Sequence, residues 1–271
     1  MKNSKKIIYP TFKDAQTLFL SYSTLQSKNL LYETLVNIID SSFINNFQFN
    51  NIREIYNSII LKYYPNETCI KSCFINQILL KVKNQVTVFE FPVGNSRADL
   101  CKINGSSVAY EIKTDLDNLV RLDKQLNDYS QIFEKVFVIC SDSRLSDIEK
   151  KMLPSCGIYI YNITNHGNIK FTLYRDASFS NQINAECQLN ALRKQELIQY
   201  FKPIKAQRRQ DIIDFILEEY SAQDINHKFK QIIKSRYEKQ WDFLKTNHSD
   251  ILEIDYQWFF KNNVNPKLIY N

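Results

Sequence analysis

The sequence predicts an α/β (α+β) fold in which a mixed central sheet is flanked by helices, with helical extensions at both termini. Apolar residues repeat at helical spacing before residue 64 and again after about residue 184. Between these regions, β-branched and aromatic runs separated by turn residues indicate strands. The 271 residues, 44% of them hydrophobic, also provide enough apolar material for a sizeable core.

The change of pattern divides the chain into three predicted segments. These are a helical N-terminal extension over 1–64, a mixed α/β core over 65–180 and a helical, basic C-terminal region over 181–271. At the first boundary, Pro65 ends one helix and Asn66 is a suitable N-cap for the next. Glu67 would lie in the first turn of that helix, which we expect to continue to about Lys83.

Within the predicted core, the elements follow in the order helix, three strands, helix, strand. The strands are expected at about 86–91, 97–103, 107–114 and 135–140, and the intervening helix at 119–133. A short helix over 145–152 and a hairpin of 157–163 with 170–174 would follow. This order predicts a mixed sheet with helices packed against it.

Two acidic residues and a lysine fall on neighbouring predicted strands. Glu111 and Lys113 are two residues apart, so they project from the same face of the sheet. A three-residue loop over 104–106 would place Asp99 opposite Glu111, whereas a two-residue loop would place Tyr110 there. We predict the longer loop or a bulge, because Val108, Tyr110 and Ile112 form the alternate apolar set that should face the core.

The runs Arg97-Ala98-Asp99-Leu100 and Tyr110-Glu111-Ile112-Lys113 resemble the motif of the PD-(D/E)XK nuclease superfamily, whose fold is restriction-endonuclease-like. Gln125 and Tyr129, four residues apart on the next helix, resemble the RecB- and Cas4-type branch. The run from Ser96 to Leu122 also resembles a small bacterial group of largely uncharacterised members of this superfamily. The resemblance covers roughly residues 66–175.

This resemblance implies a deoxyribonuclease that uses Mg²⁺ or Mn²⁺ to hydrolyse phosphodiester bonds. Asp99, Glu111 and the Ile112 carbonyl would bind the metal, and Glu67 matches the position of an additional metal-binding glutamate in some members. Lys113 would position the attacking water. Gln125 and Tyr129 would shape the site.

The partner implied by this function is nucleic acid, with DNA preferred. A net charge of +6 permits such a partner without requiring it. The densest basic run extends from residue 193 to 209 and includes Lys202 and Lys205. The predicted nucleic-acid-binding residues are Arg97, Arg121, Arg193, Lys194, Arg208 and Arg209.

Simpler interpretations compete with each of these assignments. The acids and Lys113 could form the solvated face of an ordinary hairpin, Tyr129 could belong to the core, and Glu67 could only balance a helix dipole. The basic run could be a solvated helix face. The alternative functions are a nucleic-acid-binding protein without catalysis, or a regulatory protein whose helical tail recognises another protein.

Residue usage also bears on the compartment. Six scattered cysteines in mostly apolar surroundings are typical of buried thiols in a reducing environment. No apolar run approaches the roughly 18–20 residues that span a bilayer, and the basic N-terminus lacks a signal-peptide pattern. We expect a cytoplasmic protein without a membrane partner, compatible with either a monomer or a homo-oligomer.

Overall fold

The computed structural model describes residues 7–45, 51–164, 167–203 and 208–270. The chain forms two compact units. The first takes its described residues from Met1–Asn76, Ile163–Lys170 and Phe243–Asn271, and the second from Gln77–Asn162 and Phe171–Asp242.

The elements occur in the predicted order. The strands are β1 (Val86–Val93), β2 (Ser96–Asn104), β3 (Ser106–Lys113), β4 (Lys135–Ser141), β5 (Gly157–Ile163) and β6 (Ile169–Arg175). The helices are α1 (Phe12–Ser21), α2 (Lys28–Ile38), α3 (Ser41–Ile44), α4 (Ile52–Tyr63), α5 (Glu67–Phe74), α6 (Leu122–Ser130), α7 (Leu145–Glu149), α8 (Ala185–Asn190), α9 (Lys194–Phe201), α10 (Arg209–Glu219), α11 (Ala222–Asn247), α12 (Tyr256–Asn262) and α13 (Pro266–Tyr270).

The six strands form one sheet in the order β1-β2-β3-β4-β5-β6. β1, β2 and β3 form an antiparallel meander, and β4 and β5 extend it in parallel to β3. Parallel neighbours need a crossover connection, which the segments containing α6 and α7 provide. The sheet is therefore mixed and flanked by helices, and the predicted fold class is confirmed. The predicted segment boundaries at 64 and 180 stay a prediction.

The second unit has an aromatic core beside its sheet. The rings of Phe91, Phe133 and Phe229 contact one another edge to face, with centroids 5.6–6.4 Å apart. Such arrangements add stability beyond the burial of their area. They connect β1 with the segment after α6 and with α11, and so hold α11 and the end of α6 against the sheet.

The first unit is helical, and its core is formed largely by α1, α2 and α4. Leu18, Leu31, Tyr56 and Ile60 are completely buried there. Their spacing matches the helical period seen in the sequence. The Tyr56 hydroxyl donates to the Leu31 carbonyl at 2.9 Å, so this buried phenol has a partner.

α5 is shorter than predicted. Asn66 caps it as expected, accepting from the Cys69 N–H at 3.2 Å, but the α-helix ends at Phe74 and a π-helical turn covers Ile75–Leu79. The Gln85 amide donates to the Leu79 carbonyl, which satisfies a backbone group at the end of that turn.

Among the residues described, no helix has both the length and the apolar character needed to cross a membrane.

Candidate functional site

The register of β2 and β3 decides where the predicted acids lie. Ile103 pairs with Ser107 and Leu100 with Tyr110, with Gly105 in a left-handed conformation (φ +69°) at the turn. This is the register predicted for the longer loop, and it is confirmed. Continued by one residue, it places Asp99 opposite Glu111.

The residue pairing between β2 and β3 ends at Leu100 and Tyr110. Beyond this pair, the side chain of Asp99 takes the place of a backbone acceptor for β3. The Asp99 Oδ2 atom accepts a hydrogen bond of 2.6 Å from the Ile112 N–H. Asp99 is 8% exposed and Glu111 is 2% exposed. A carboxylate buried to this extent needs hydrogen-bond donors, and the end of the ladder supplies one.

Glu111 has a partner on each carboxylate oxygen. The Lys113 ammonium lies 2.6 Å from Oε1, and the Tyr129 hydroxyl lies 2.6 Å from Oε2. The same hydroxyl lies 2.7 Å from the Arg97 carbonyl, so one phenol bridges β2 and β3 from α6. The side chains of Asp99, Glu111, Lys113 and Tyr129 thus belong to one largely buried cluster.

The charges of this cluster perturb one another. Burial raises the pKa of the Tyr129 hydroxyl, and the Glu111 and Asp99 carboxylates raise it further. Burial alone would lower the pKa of Lys113, but Glu111, followed by Asp99 and Asp117, raises it above its ordinary value. Lys113 therefore remains a cation paired with Glu111, rather than becoming a neutral amine.

Gln125 lies one helical turn before Tyr129 on α6. Its Nε2 atom is 3.5 Å from the Tyr129 hydroxyl, and its buried Oε1 has no hydrogen-bond partner among the described residues. The structure thus brings Gln125 to the same cluster as Asp99, Glu111, Lys113 and Tyr129. Their predicted roles in binding are not decided by this placement.

Glu90 is a member of the cluster that the sequence analysis missed. It lies on β1 between the pairs Phe89–Leu100 and Phe91–Ala98, which places it opposite Asp99. Carboxylate oxygens of the two residues lie within 4.8 Å of each other. Glu90, Asp99 and Glu111 form a row across three strands, which we call the carboxylate row.

Glu90 has an unusual backbone for a strand residue. Its φ angle is +54°, in the left-handed region that favours glycine. Its Oε2 atom pairs with Arg97 Nε at 2.9 Å, which gives that predicted nucleic-acid-binding residue an internal partner. The Gly94-Asn95 turn, which pairs Val93 with Ser96, was the signal in the sequence that could have placed Glu90 opposite Asp99.

Three further predicted positions, Glu67, Arg121 and the Ile112 carbonyl, lie at the start of α5, just before α6 and on β3. Glu67 begins α5 in the first unit, where its Oε1 accepts from Lys71 at 2.8 Å. Arg121 is exposed and precedes α6 without a capping hydrogen bond from its side chain. The Ile112 carbonyl belongs to β3, which pairs with β4 there.

The predicted basic residues of the C-terminal region divide into two groups. Arg193, Lys194 and Arg208 are exposed. Arg209 instead donates through Nη2 to the carbonyls of Leu189, Asn190 and Leu192, at 2.9–3.2 Å, at the end of α8. Lys205 lies outside the described residues.

Two comparisons with known proteins relate this chain to the same bacteriophage protein. A family model described as "Bacteriophage P4 protein cII" matches residues 61–256, well over half of the chain. Protein cII of Enterobacteria phage P4 is 30% identical to the chain over 159 residues, which cover 57% of this chain and 60% of the phage protein. The chain thus spans less than two thirds of that relative. No solved structure matches significantly.

These matches correct the functional expectations. The assignment to the PD-(D/E)XK nucleases, the phosphodiester hydrolase function and the identification as a Mg²⁺-dependent deoxyribonuclease are wrong. Asp99, Glu111 and Lys113 are common residue types, and an antiparallel hairpin of suitable register aligns them in any protein. The family relationship instead depends on a pattern spread over residues 61–256. The chain belongs to the family of bacteriophage P4 protein cII.

Proposed function

We propose that this chain is a regulatory protein that binds nucleic acid, with DNA as the preferred partner, and does not cleave it. The observation that carries the proposal is an exposed basic surface at the ends of α9 and α10. We define this α9–α10 surface by Arg193, Lys194, Lys202 and Arg208, all of which are exposed.

Four other basic side chains of the C-terminal region, all on α11, have internal partners. On α11, Lys230 pairs with Glu134 at 2.8 Å, and the Arg236 guanidinium pairs with Glu196. Lys228 donates to the Tyr200 carbonyl at 3.2 Å, and Lys234 to the Asn84 carbonyl at 3.2 Å. These cations stabilise the unit, so the α9–α10 surface is the better candidate for phosphate contacts.

The dimensions of the α9–α10 surface suit a phosphate backbone. Arg193 and Lys202 flank the eight-residue helix α9, which is about 12 Å long, so the two charges can contact phosphates that are several positions apart. Exposed arginine and lysine side chains contact phosphates without reading the sequence. We therefore expect sequence-tolerant binding with a strong dependence on salt.

The test is fluorescence anisotropy with labelled duplex DNA and RNA of equal length, at several salt concentrations. Replacing Lys194 and Arg208 together by alanine should weaken binding about tenfold. It should also reduce the slope of log affinity against log salt by about 2, because two phosphate contacts are lost.

The matched control replaces Lys151 and Lys239, which are exposed lysines outside the α9–α10 surface. This double variant loses the same charge and should change the affinity much less. Equal losses in the two double variants would mean that only net charge matters and would contradict the proposal. So would an absence of binding by the unmodified protein at low salt.

We further propose that the carboxylate row holds Mg²⁺ or Mn²⁺ as a bound ion without hydrolytic function. Two oxygens that share one such ion at about 2.1 Å lie at most about 4.2 Å apart. The Glu90 and Asp99 oxygens, within 4.8 Å, need only a small adjustment to reach this geometry. Glu111 fits less well, because Lys113 and Tyr129 already contact both of its oxygens.

Titration calorimetry with MgCl₂ and MnCl₂ tests this second proposal. Asp99→Asn should abolish the binding heat, since it removes the central carboxylate of the row. Glu149→Gln, at a half-exposed carboxylate of α7, is the control and should leave the heat unchanged. Equal heats in both variants would contradict an ion in the row.

A further inference from the structure

The first unit contains a pocket that the functions proposed above do not involve. Its volume is about 300 Å³, and it lies beside the N-terminus of α2. It is lined by Thr24 and Ser27 from the segment before α2, by Lys28 of α2, by Arg53 of α4, and by Leu268 and Ile269 of α13. This volume is at the lower end of the range for small-molecule sites.

Arg53 is a buried cation whose hydrogen-bond partners are neutral. Its side chain donates to the carbonyls of Ser23 and Gln26, at 3.3 and 2.5 Å, and to the Tyr22 hydroxyl at 3.4 Å. The residue is 3% exposed, and its Nε has no hydrogen-bond partner within the described part of the chain. A buried cation of this kind is stabilised by an anion.

The nearest internal acid does not supply that anion by direct contact. Asp255 is completely buried and accepts from the hydroxyls of Tyr22, Thr24 and Tyr270, at 2.6–2.8 Å. Within the described ranges, no ion pair shorter than 4.0 Å joins Asp255 to Arg53; the Tyr22 hydroxyl lies between them. The negative charge is therefore enclosed by hydroxyl groups, one of which belongs to Thr24, a residue that also lines the pocket.

The N-terminus of α2 adds positive potential at the pocket. Ser27 caps the helix by accepting from the Leu30 N–H, and no acidic residue lies in the first turn. The helix dipole is therefore not balanced by a local carboxylate, and Lys28 adds a full positive charge. Backbone N–H groups at such a position bind phosphate oxygens well.

We infer that this pocket binds a small molecule bearing a phosphate group. Lys28 and the first turn of α2 would contact the phosphate oxygens, and Arg53 in the pocket lining would add a buried positive charge. Leu268, which is 78% exposed, and Ile269 would contact an apolar or aromatic portion of the ligand. The phosphate could belong to inorganic phosphate or to a mononucleotide, and the experiment distinguishes these sources.

The experiment is titration calorimetry of the full chain with inorganic phosphate and, separately, with adenosine monophosphate. The informative variant is Ser27→Asp, because aspartate caps a helix as well as serine does but places a negative charge in the pocket. Binding should become at least about tenfold weaker in this variant, with unchanged helical content by circular dichroism. Lys28→Ala should weaken binding by a smaller factor.

The matched control is Asn184→Asp, which adds the same charge at an exposed N-cap in the second unit and should leave binding unchanged. If adenosine monophosphate binds more tightly than inorganic phosphate, Leu268 and Ile269 contact the nucleoside. If the two bind equally, the site recognises phosphate alone. An absence of heat with both ligands, or equal affinities in Ser27→Asp and the unmodified protein, would overturn the inference. Lys194→Ala separates this site from the α9–α10 surface, because it should not affect phosphate binding here.

Discussion

Each of the two units buries acidic side chains, but they compensate the charge in different ways. In the second unit, Glu111 of the carboxylate row contacts the Lys113 ammonium and the Tyr129 hydroxyl. In the first unit, Asp255 is held by three hydroxyl groups, and the nearby cation Arg53 contacts neutral oxygens. In the second unit, Glu111 is neutralised by direct pairing with Lys113. In the first unit, the Tyr22 hydroxyl lies between Asp255 and Arg53.

This difference shows how the charge of a cluster relates to its capacity to bind. Direct pairing reduces the electrostatic potential around both Glu111 and Lys113. The carboxylate row in the second unit is therefore partly neutralised by its own lysine. Separation by hydroxyls leaves the buried guanidinium able to gain from an external anion. A buried cation without a direct counter-charge is therefore a better guide to a ligand site than a cluster of paired acids.

Removing Asp255 should have the largest effect on stability. Asp255→Ala leaves three hydroxyls without their acceptor and Arg53 without its nearest counter-charge. We expect the free energy of unfolding to fall by about 3–5 kcal/mol. Denaturant unfolding followed by circular dichroism measures this loss, and Asp250→Ala, at an exposed position, should change it little. A loss below about 1 kcal/mol would mean that the hydroxyl cage is not a major source of stability.

Glu134, in the second unit, tests whether direct pairing with a cation stabilises a buried carboxylate. The test uses the pH dependence of the free energy of unfolding. Burial alone would raise its pKa, but hydrogen bonds from Lys230, the Ser107 N–H and Asn226 lower it below the ordinary value of 4.5. The carboxylate therefore contributes stability above pH 4.5, and this contribution is lost as the pH falls through the lower pKa of the folded state.

We expect Glu134→Gln to lose about 2 kcal/mol at pH 7, and the difference from the unmodified protein to shrink below pH 4.5. Urea unfolding between pH 3 and pH 7 provides the measurement. Glu238→Gln, at an exposed position on α11, should show little difference at pH 7. A difference that grows towards low pH would contradict the pairing with Lys230.

Local patterns were sufficient to predict the second unit's sheet. The Asn104-Gly105 turn and the alternation of Val108, Tyr110 and Ile112 predicted the register that aligns Asp99 with Glu111. Glu90 was missed because its alignment required the same argument to be extended through the Gly94-Asn95 turn. Its left-handed backbone has no simple signal in the sequence.

The function and the first unit's cluster could not be predicted in this way. The carboxylate row is formed by residues 90–111, so it resembles a motif, but such a short motif does not determine a family. The Asp255 cluster joins residues from positions 22 to 270, and only tertiary packing of the helices brings them together. No periodicity or spacing connects residues that far apart in the chain.

The smallest predicted effect concerns the backbone of the carboxylate row. At an ordinary strand position, glycine is about 0.5–1 kcal/mol less stable than alanine, because it loses more conformational freedom on folding. At Glu90, with φ at +54°, alanine keeps the left-handed strain while glycine removes it. Glu90→Gly should therefore be about 1 kcal/mol more stable than Glu90→Ala, although both lose the pair with Arg97.

Thr172 on β6 is the matched control, because it is an exposed strand residue without a positive φ angle. Thr172→Gly should be less stable than Thr172→Ala, so the sign of the glycine–alanine difference should be opposite at the two positions. Denaturant unfolding of the four variants gives both differences. The same sign at both positions would show that Glu90 does not hold a strained conformation in solution. The carboxylate row would then lack the fixed geometry that an ion site requires.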